Sequence, residues 1–154
     1  MSALQVYFCG SIRGGRQDRA LYARIVDKLR QYGRVLTEHV ASEGIRERGE
    51  DAVQDGDKGV HDRDLKWLEQ ADVVIAEVTQ PSLGVGYELG RSVAMKKKIL
   101  CLFRPSSGRC LSAMIRGAED NKRFFVKDYQ EQDIEKILEE YFRATFPDDL
   151  TLQP

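Results

Sequence analysis

The chain has 154 residues, 42% of them apolar and 32% charged, which suffices for one compact core and is too little for two ordinary domains. Acids and bases nearly cancel at a formal net charge of -1, which excludes a general electrostatic pull on a nucleic-acid polymer or an anionic membrane surface. The segment MSALQVYFCGS has no basic n-region, and no apolar run approaches the roughly 20 residues that span a bilayer, so a soluble intracellular protein is expected.

In chain order, residues 6–9 read as a strand that ends at Gly10-Ser11. Leu21, Ile25, Val26, Leu29 and Tyr32 then recur at helical spacing up to Gly33. Residues 35–40 make a second strand, and Leu65, Trp67 and Leu68 predict a helix over about 62–70. Residues 73–78 form an apolar run of the kind expected for a strand covered on both faces. A helix opening near Val85 continues through Leu89, Val93 and Ala94 to the lysines at 96–98, whose charge suits a helix carboxyl end. Residues 99–103 are a fourth strand, 111–118 a short helix and 124–126 a fifth strand. Ile134, Ile137, Leu138, Tyr141 and Phe142 lie on one face of a last amphipathic helix.

Regular alternation of this kind predicts an α/β domain spanning 1–154 with an ordered core over about 5–146. Its sheet has five parallel strands in the flavodoxin-like order 2-1-3-4-5, with helices on both faces. Ligands of such sheets bind beyond the carboxyl ends of the strands, at the switch point between strands 1 and 3. In this chain that place is residues 10–16 and 79–88. The charged, glycine-dotted segment 42–59 reads as a loop, either a solvated connection or a lid. Cys9 and Cys101 sit in apolar runs as buried thiols; with no CxxC motif and only His39 and His61 as histidines, no metal or other cofactor is expected.

Three groups of residues gather at the switch point. GSIRGGR at 10–16 is either a plain turn or a loop whose glycines let backbone N–H groups approach an anion, and it matches neither the GxGxxG nor the P-loop pattern. In TQPSLGVGYELGR at 79–91, a helix start beside Ser82 and Gly84 favours an anion. Glu88 then falls in the first turn, as a dipole-stabilised surface acid or as an ionised carboxylate able to attack an electrophilic carbon. Asp64, in HDRDLKW, is either solvated surface or the second member of the carboxylate pair that glycosidic cleavage uses.

YFCGSIRGG at 7–15, DLKWLEQADVVIAEVTQPSLGVGYELGR at 64–91 and ILCLFRPSSGRCLSAMIRGA at 99–118 closely resemble the 2'-deoxynucleoside 5'-phosphate N-hydrolases of the nucleoside deoxyribosyltransferase superfamily. The likeness runs from about residue 6 to 129. It implies a Rossmann-like homodimer that cleaves deoxynucleoside monophosphates, 5-hydroxymethyl-dUMP and purine nucleotides such as dGMP among them, to free base and 2-deoxyribose 5-phosphate. The roles it implies are Glu88 as nucleophile on C1', with Tyr7 and Asp64 in support; leaving-group protonation is the expected task of Asp64. Gly10, Ile12, Arg13, Gly14, Ser82 and Gly84 would line the nucleotide, Ser112 would reach the phosphate from the second subunit, and His39 would contact the base. A serine at 82, where deoxyribosyltransferases tend to carry an acid, suits a 5'-phosphate better than a free 5'-hydroxyl. The resemblance also implies a place in cytoplasm and nucleus and a task in nucleotide salvage or pool sanitation. A ribonucleotide or NAD glycohydrolase and a non-catalytic nucleotide sensor are the alternatives.

Overall fold

The computed structural model describes residues 3–12, 18–37 and 56–150. Five strands, β1 (Leu4–Gly10), β2 (Gly33–Leu36), β3 (Val73–Glu77), β4 (Lys98–Phe103) and β5 (Phe124–Asp128), form one sheet. They pair in parallel in the order β2-β1-β3-β4-β5. Order and direction agree with the expectation from the alternating sequence. Among the described residues, six α-helices accompany them: α1 (Arg19–Leu29), α2 (Gly56–Gln70), α3 (Leu83–Ala94), α4 (Ala113–Arg116), α5 (Ile134–Thr145) and α6 (Pro147–Leu150). Among the described residues, no helix is long and apolar enough to cross a membrane.

Because side chains alternate across a strand, the sheet feeds two apolar layers. Val6 and Phe8 of β1, Val73 and Ile75 of β3, and Leu100 and Leu102 of β4 pack with Ile25 and Leu29 of α1 and Ile134, Leu138 and Phe142 of α5. Tyr7 and Cys9, Val74 and Ala76, and Ile99 and Cys101 face the other way, against Leu68 of α2 and Val85 and Leu89 of α3. Cys9 and Cys101 are the buried thiols their apolar runs predicted. Each fully buried aliphatic or aromatic side chain stabilises the fold by about 1.5–3 kcal/mol. This two-sided burial is why the middle strands read as nearly unbroken apolar runs.

Several boundaries differ from the sequence reading. The helix expected from about residue 62 begins at Gly56. Residues 56–59 had been read as part of the charged loop, but Asp57 suits the helix's first turn and Lys58 pairs with Asp62 one turn on, at 2.9 Å. The rest of that loop, residues 42–55, lies outside the described residues, as does the end of the second predicted strand, 38–40. The first helix stops at Leu29 rather than at Gly33, which instead opens β2. A Cβ at Gly33 would stand 2.1 Å from the Leu4 carbonyl oxygen, so only glycine lets β2 approach β1 this closely. At the carboxyl end of α2, Lys97 donates from Nζ to the carbonyls of Glu69 and Ala71, both at 2.8 Å. Lys98, next in the run, lies over the Phe146 ring at 4.6 Å, so two of the three consecutive lysines have a structural partner.

Candidate active site

The carboxyl ends of β1 and β3 place Tyr7 and Glu88 together. Tyr7 is fully buried on the α2/α3 side of β1, and its hydroxyl donates to Glu88 Oε2 at 2.9 Å. Glu88 itself is only partly buried. Ser82 caps α3, its Oγ accepting from the Val85 N–H at 3.2 Å, so the helix begins at Leu83, two residues before the expected start. Glu88 consequently lies in the second turn, not the first, where the helix dipole has weakened. The dipole that the sequence reading expected to favour ionised Glu88 is therefore weaker there, and the Tyr7 hydroxyl of β1 supplies a hydrogen bond to the carboxylate.

Asp64 is not solvated surface. It is 4% exposed, and Arg63 Nε donates to its Oδ1 at 3.0 Å. The Arg63 guanidinium lies 4.6 Å from the centre of the Trp67 ring, and Trp67 in turn stands 6.5 Å from the Tyr7 ring. One packed row thus runs from Asp64 through Arg63, Trp67 and Tyr7 to Glu88. A second link between α2 and α3 is the 2.9 Å hydrogen bond between His61 Nε2 and the Tyr87 hydroxyl.

A separate cleft of about 570 Å³ lies beside the amino end of α3, with Ser82, Leu83, Leu111, Ser112 and Met114 on its walls. Both serines are helix caps; Ser112 Oγ accepts from the Met114 N–H at 3.2 Å, which leaves each hydroxyl proton for a ligand. The N–H groups of Leu83 and Gly84 open α3 ahead of any intrahelical pairing. Tyr7, Asp64 and Glu88 do not line this cleft. The structure therefore gathers the predicted residues in two groups, one around Tyr7 and Glu88 and one around Ser82, Gly84 and Ser112. Within one chain, Ser82 and Ser112 share a cleft. Gly10 ends β1, where a Cβ would press on the Tyr22 ring at 3.1 Å, and Ile12 follows it with 36% exposure. Arg13, Gly14 and His39 lie outside the described residues.

Sequence reasoning missed one carboxylate at this end of the sheet. Glu77, the last residue of β3, has no exposed surface. Its Oε1 accepts from the Thr79 N–H at 2.7 Å, and its Oε2 accepts from the Thr79 hydroxyl at 3.1 Å and from the Tyr129 hydroxyl. Arg104 lies 3.5 Å from the same oxygen through Nε and bonds Asp18 at 2.6 Å and Glu131 at 3.0 Å. Burial pushes the Glu77 carboxyl above its ordinary range despite these donors. Burial, then the neighbouring Glu77 charge, pushes the Tyr129 hydroxyl up as well. The signal was in the sequence: an acid inside an apolar run needs buried partners.

The model of the family described as nucleoside 2-deoxyribosyltransferase matches residues 6–138. A protein of Mus musculus called 5-hydroxymethyl-dUMP N-hydrolase is 68% identical over 142 residues, 92% of this chain and 82% of its own. One of Esox lucius with the same name is 66% identical over 145 residues, 94% of this chain and 100% of its own. Among solved structures, a CMP N-glycosidase of Clostridium botulinum superposes with a TM-score of 0.65 over 89% of this chain and 99% of its own; at 19% identity it attests the fold alone. The chain belongs to the nucleoside 2-deoxyribosyltransferase family.

Proposed function

We propose that the protein hydrolyses the N-glycosidic bond of 2'-deoxynucleoside 5'-monophosphates, 5-hydroxymethyl-dUMP and purine nucleotides such as dGMP among them. The products are free base and 2-deoxyribose 5-phosphate. The names of its close relatives support the reaction class. The observation that carries the reading is the partly buried Glu88 carboxylate, oriented by the Tyr7 hydroxyl at the switch point of the sheet. In the first step a Glu88 oxygen attacks C1', and the C1'–N bond breaks with its electron pair leaving on the base. In the second, water attacks C1', the sugar ester breaks and the Glu88 carboxylate is restored; over the two steps the proton that water gives up balances the one the departing base takes. Without a 2'-hydroxyl, less electron withdrawal opposes the positive charge that develops on the sugar.

The phosphate is held by the amino end of α3, where Ser82 caps the helix and the first N–H groups have no intrahelical acceptor. The working form is a homodimer in which Ser112 reaches the partner's phosphate. Its support is an outer face of α3 that is exposed among the described residues: Leu83 is 96% exposed, and Gly86, Tyr87, Gly90, Val93 and Ala94 follow it at helical spacing, all exposed. Met114, 83% exposed, continues this apolar surface across the cleft. Small residues at 86 and 90 would let a second α3 approach closely, in the self-complementary manner of a two-fold interface. The reading also places the protein in cytoplasm and nucleus, in nucleotide salvage or pool sanitation.

The test is base release from 5-hydroxymethyl-dUMP and dGMP beside the matching ribonucleotides. Release from the deoxy forms alone is expected. Faster release from the ribonucleotides would make it a ribonucleotide glycohydrolase, and binding with no release from any of them would leave a nucleotide sensor.

A further inference from the structure

We infer that Arg63 is a positioning residue that holds Asp64 as an ionised, oriented acceptor, so that Asp64 does not supply the proton taken by the departing base. The inference rests on the hydrolase reading above. Its basis is geometric: Arg63 reaches Asp64 through Nε at 3.0 Å, on a side chain itself only 24% exposed, against a carboxylate only 6% exposed. In so little water a neighbouring guanidinium strongly favours the ionised over the protonated acid.

The guanidinium is itself fixed, because its plane lies over Trp67 at 4.6 Å. Trp67 packs on Tyr7, the residue that orients Glu88. One side chain therefore sets the direction of Asp64 and braces the ring behind the nucleophile's donor. Among the described residues, the other titratable groups brought to this end are Tyr7 from β1, Tyr87 and Glu88 from α3, and His61 and Asp62 on α2 itself. Asp62 is exposed and paired with Lys58 and His61, and among the described residues Arg63 is the cation bonded to Asp64. A lysine at 63 would keep the charge without the planar guanidinium whose Nε bonds the carboxylate while its central carbon lies over the indole.

The inference is tested by titrating the carboxyl carbon of Asp64 in 13C-aspartate-labelled protein, assigned with Asp64→Asn, for wild type, Arg63→Gln and Arg63→Lys. Asp64 is expected to titrate about one pH unit or more higher in Arg63→Gln than in wild type, and near the wild-type position in Arg63→Lys. In base release, kcat is expected to fall about tenfold in Arg63→Gln with KM little changed, and Arg63→Lys should recover only part of it. An Asp64 titration that does not move, or full kcat in Arg63→Gln, would overturn the inference. Should Arg63→Gln not fold, Arg63→Lys decides it: kcat equal to wild type would show that the planar guanidinium is not used. The carbon titration needs no turnover, so a failure of the hydrolase reading would appear as absent base release with the Arg63-dependent titration still present.

Discussion

Glu77 and Glu88 stand at the two sides of the same turn and are held in opposite ways. Glu77 has no exposed surface, and its two carboxylate oxygens serve the Thr79 N–H, the Thr79 and Tyr129 hydroxyls and the Arg104 guanidinium. Glu88 sits on a helix, partly buried, with the Tyr7 hydroxyl on one oxygen. A carboxylate locked among fixed donors holds loops together: through Arg104, Glu77 joins the start of α1 at Asp18 to the loops after β3, β4 and β5. In the proposed reaction it is the Glu88 carboxylate, with the Tyr7 hydroxyl as a donor, that attacks the sugar carbon. Burial and partner chemistry, more than residue type, divide structure from reaction at this end of the sheet.

The sharpest way to break that division is to change the two acids separately. Glu88→Gln should lower base release at least about a thousandfold while changing stability by no more than about 0.5 kcal/mol. Circular dichroism melts beside the base-release assay check both halves. Glu77→Ala should do the reverse first: leaving Arg104 and Tyr129 without their buried partner costs about 3–5 kcal/mol. At this chain length the melting point should fall by roughly 6–20 °C. Should Glu77→Ala melt with the wild type, the buried cluster would not be what joins the loops.

Smaller changes sharpen the comparison. Tyr7→Phe removes the hydroxyl but fills the same core space, so kcat should fall about tenfold, as for the loss of a hydrogen bond to a charged group, with little change in melting. Steady-state kinetics check this; unchanged kcat would leave Tyr7 as core packing alone. The smallest effect concerns pH. The Glu77 carboxyl is raised above its ordinary value of 4.5 by burial, so in a window starting near that value the folded state holds more protons than the unfolded. Stability from this group is thus full below the window and lost as pH rises through it. Glu77→Gln lacks this loss, and a series of melts upward from about pH 4.5 should show wild type losing stability relative to the variant as pH rises.

The architecture was legible because two-sided burial writes itself into the strands as apolar runs and leaves their helices amphipathic. Strand order followed from the length of the alternating pattern and the right-handed crossover rule. The site was legible in part. Glu88, Ser82 and Gly84 lie around a helix start that proline and serine announce, but the exact start depended on a cap that placed Glu88 two residues further into the helix than expected. Tyr7 came from family likeness alone, since a tyrosine in an apolar strand carries no sign of which partner its hydroxyl will meet. The environment of Asp64 was hidden for the same reason: Arg63 and Trp67 looked like ordinary members of a charged helix until packing turned them onto one carboxylate. Glu77 was overlooked because one acid was absorbed into an apolar run, although its burial without partners would have been prohibitive.

The central claim is that Glu88, and not its buried neighbour Glu77, forms the bond to the sugar. Acid quenching of the protein during turnover of 5-hydroxymethyl-dUMP, followed by peptide mass spectrometry, reads this directly. The account predicts a 2-deoxyribose 5-phosphate adduct on the peptide carrying Glu88 and none in Glu88→Gln. An adduct on any other residue, or equal base release by wild type and Glu88→Gln, would contradict it.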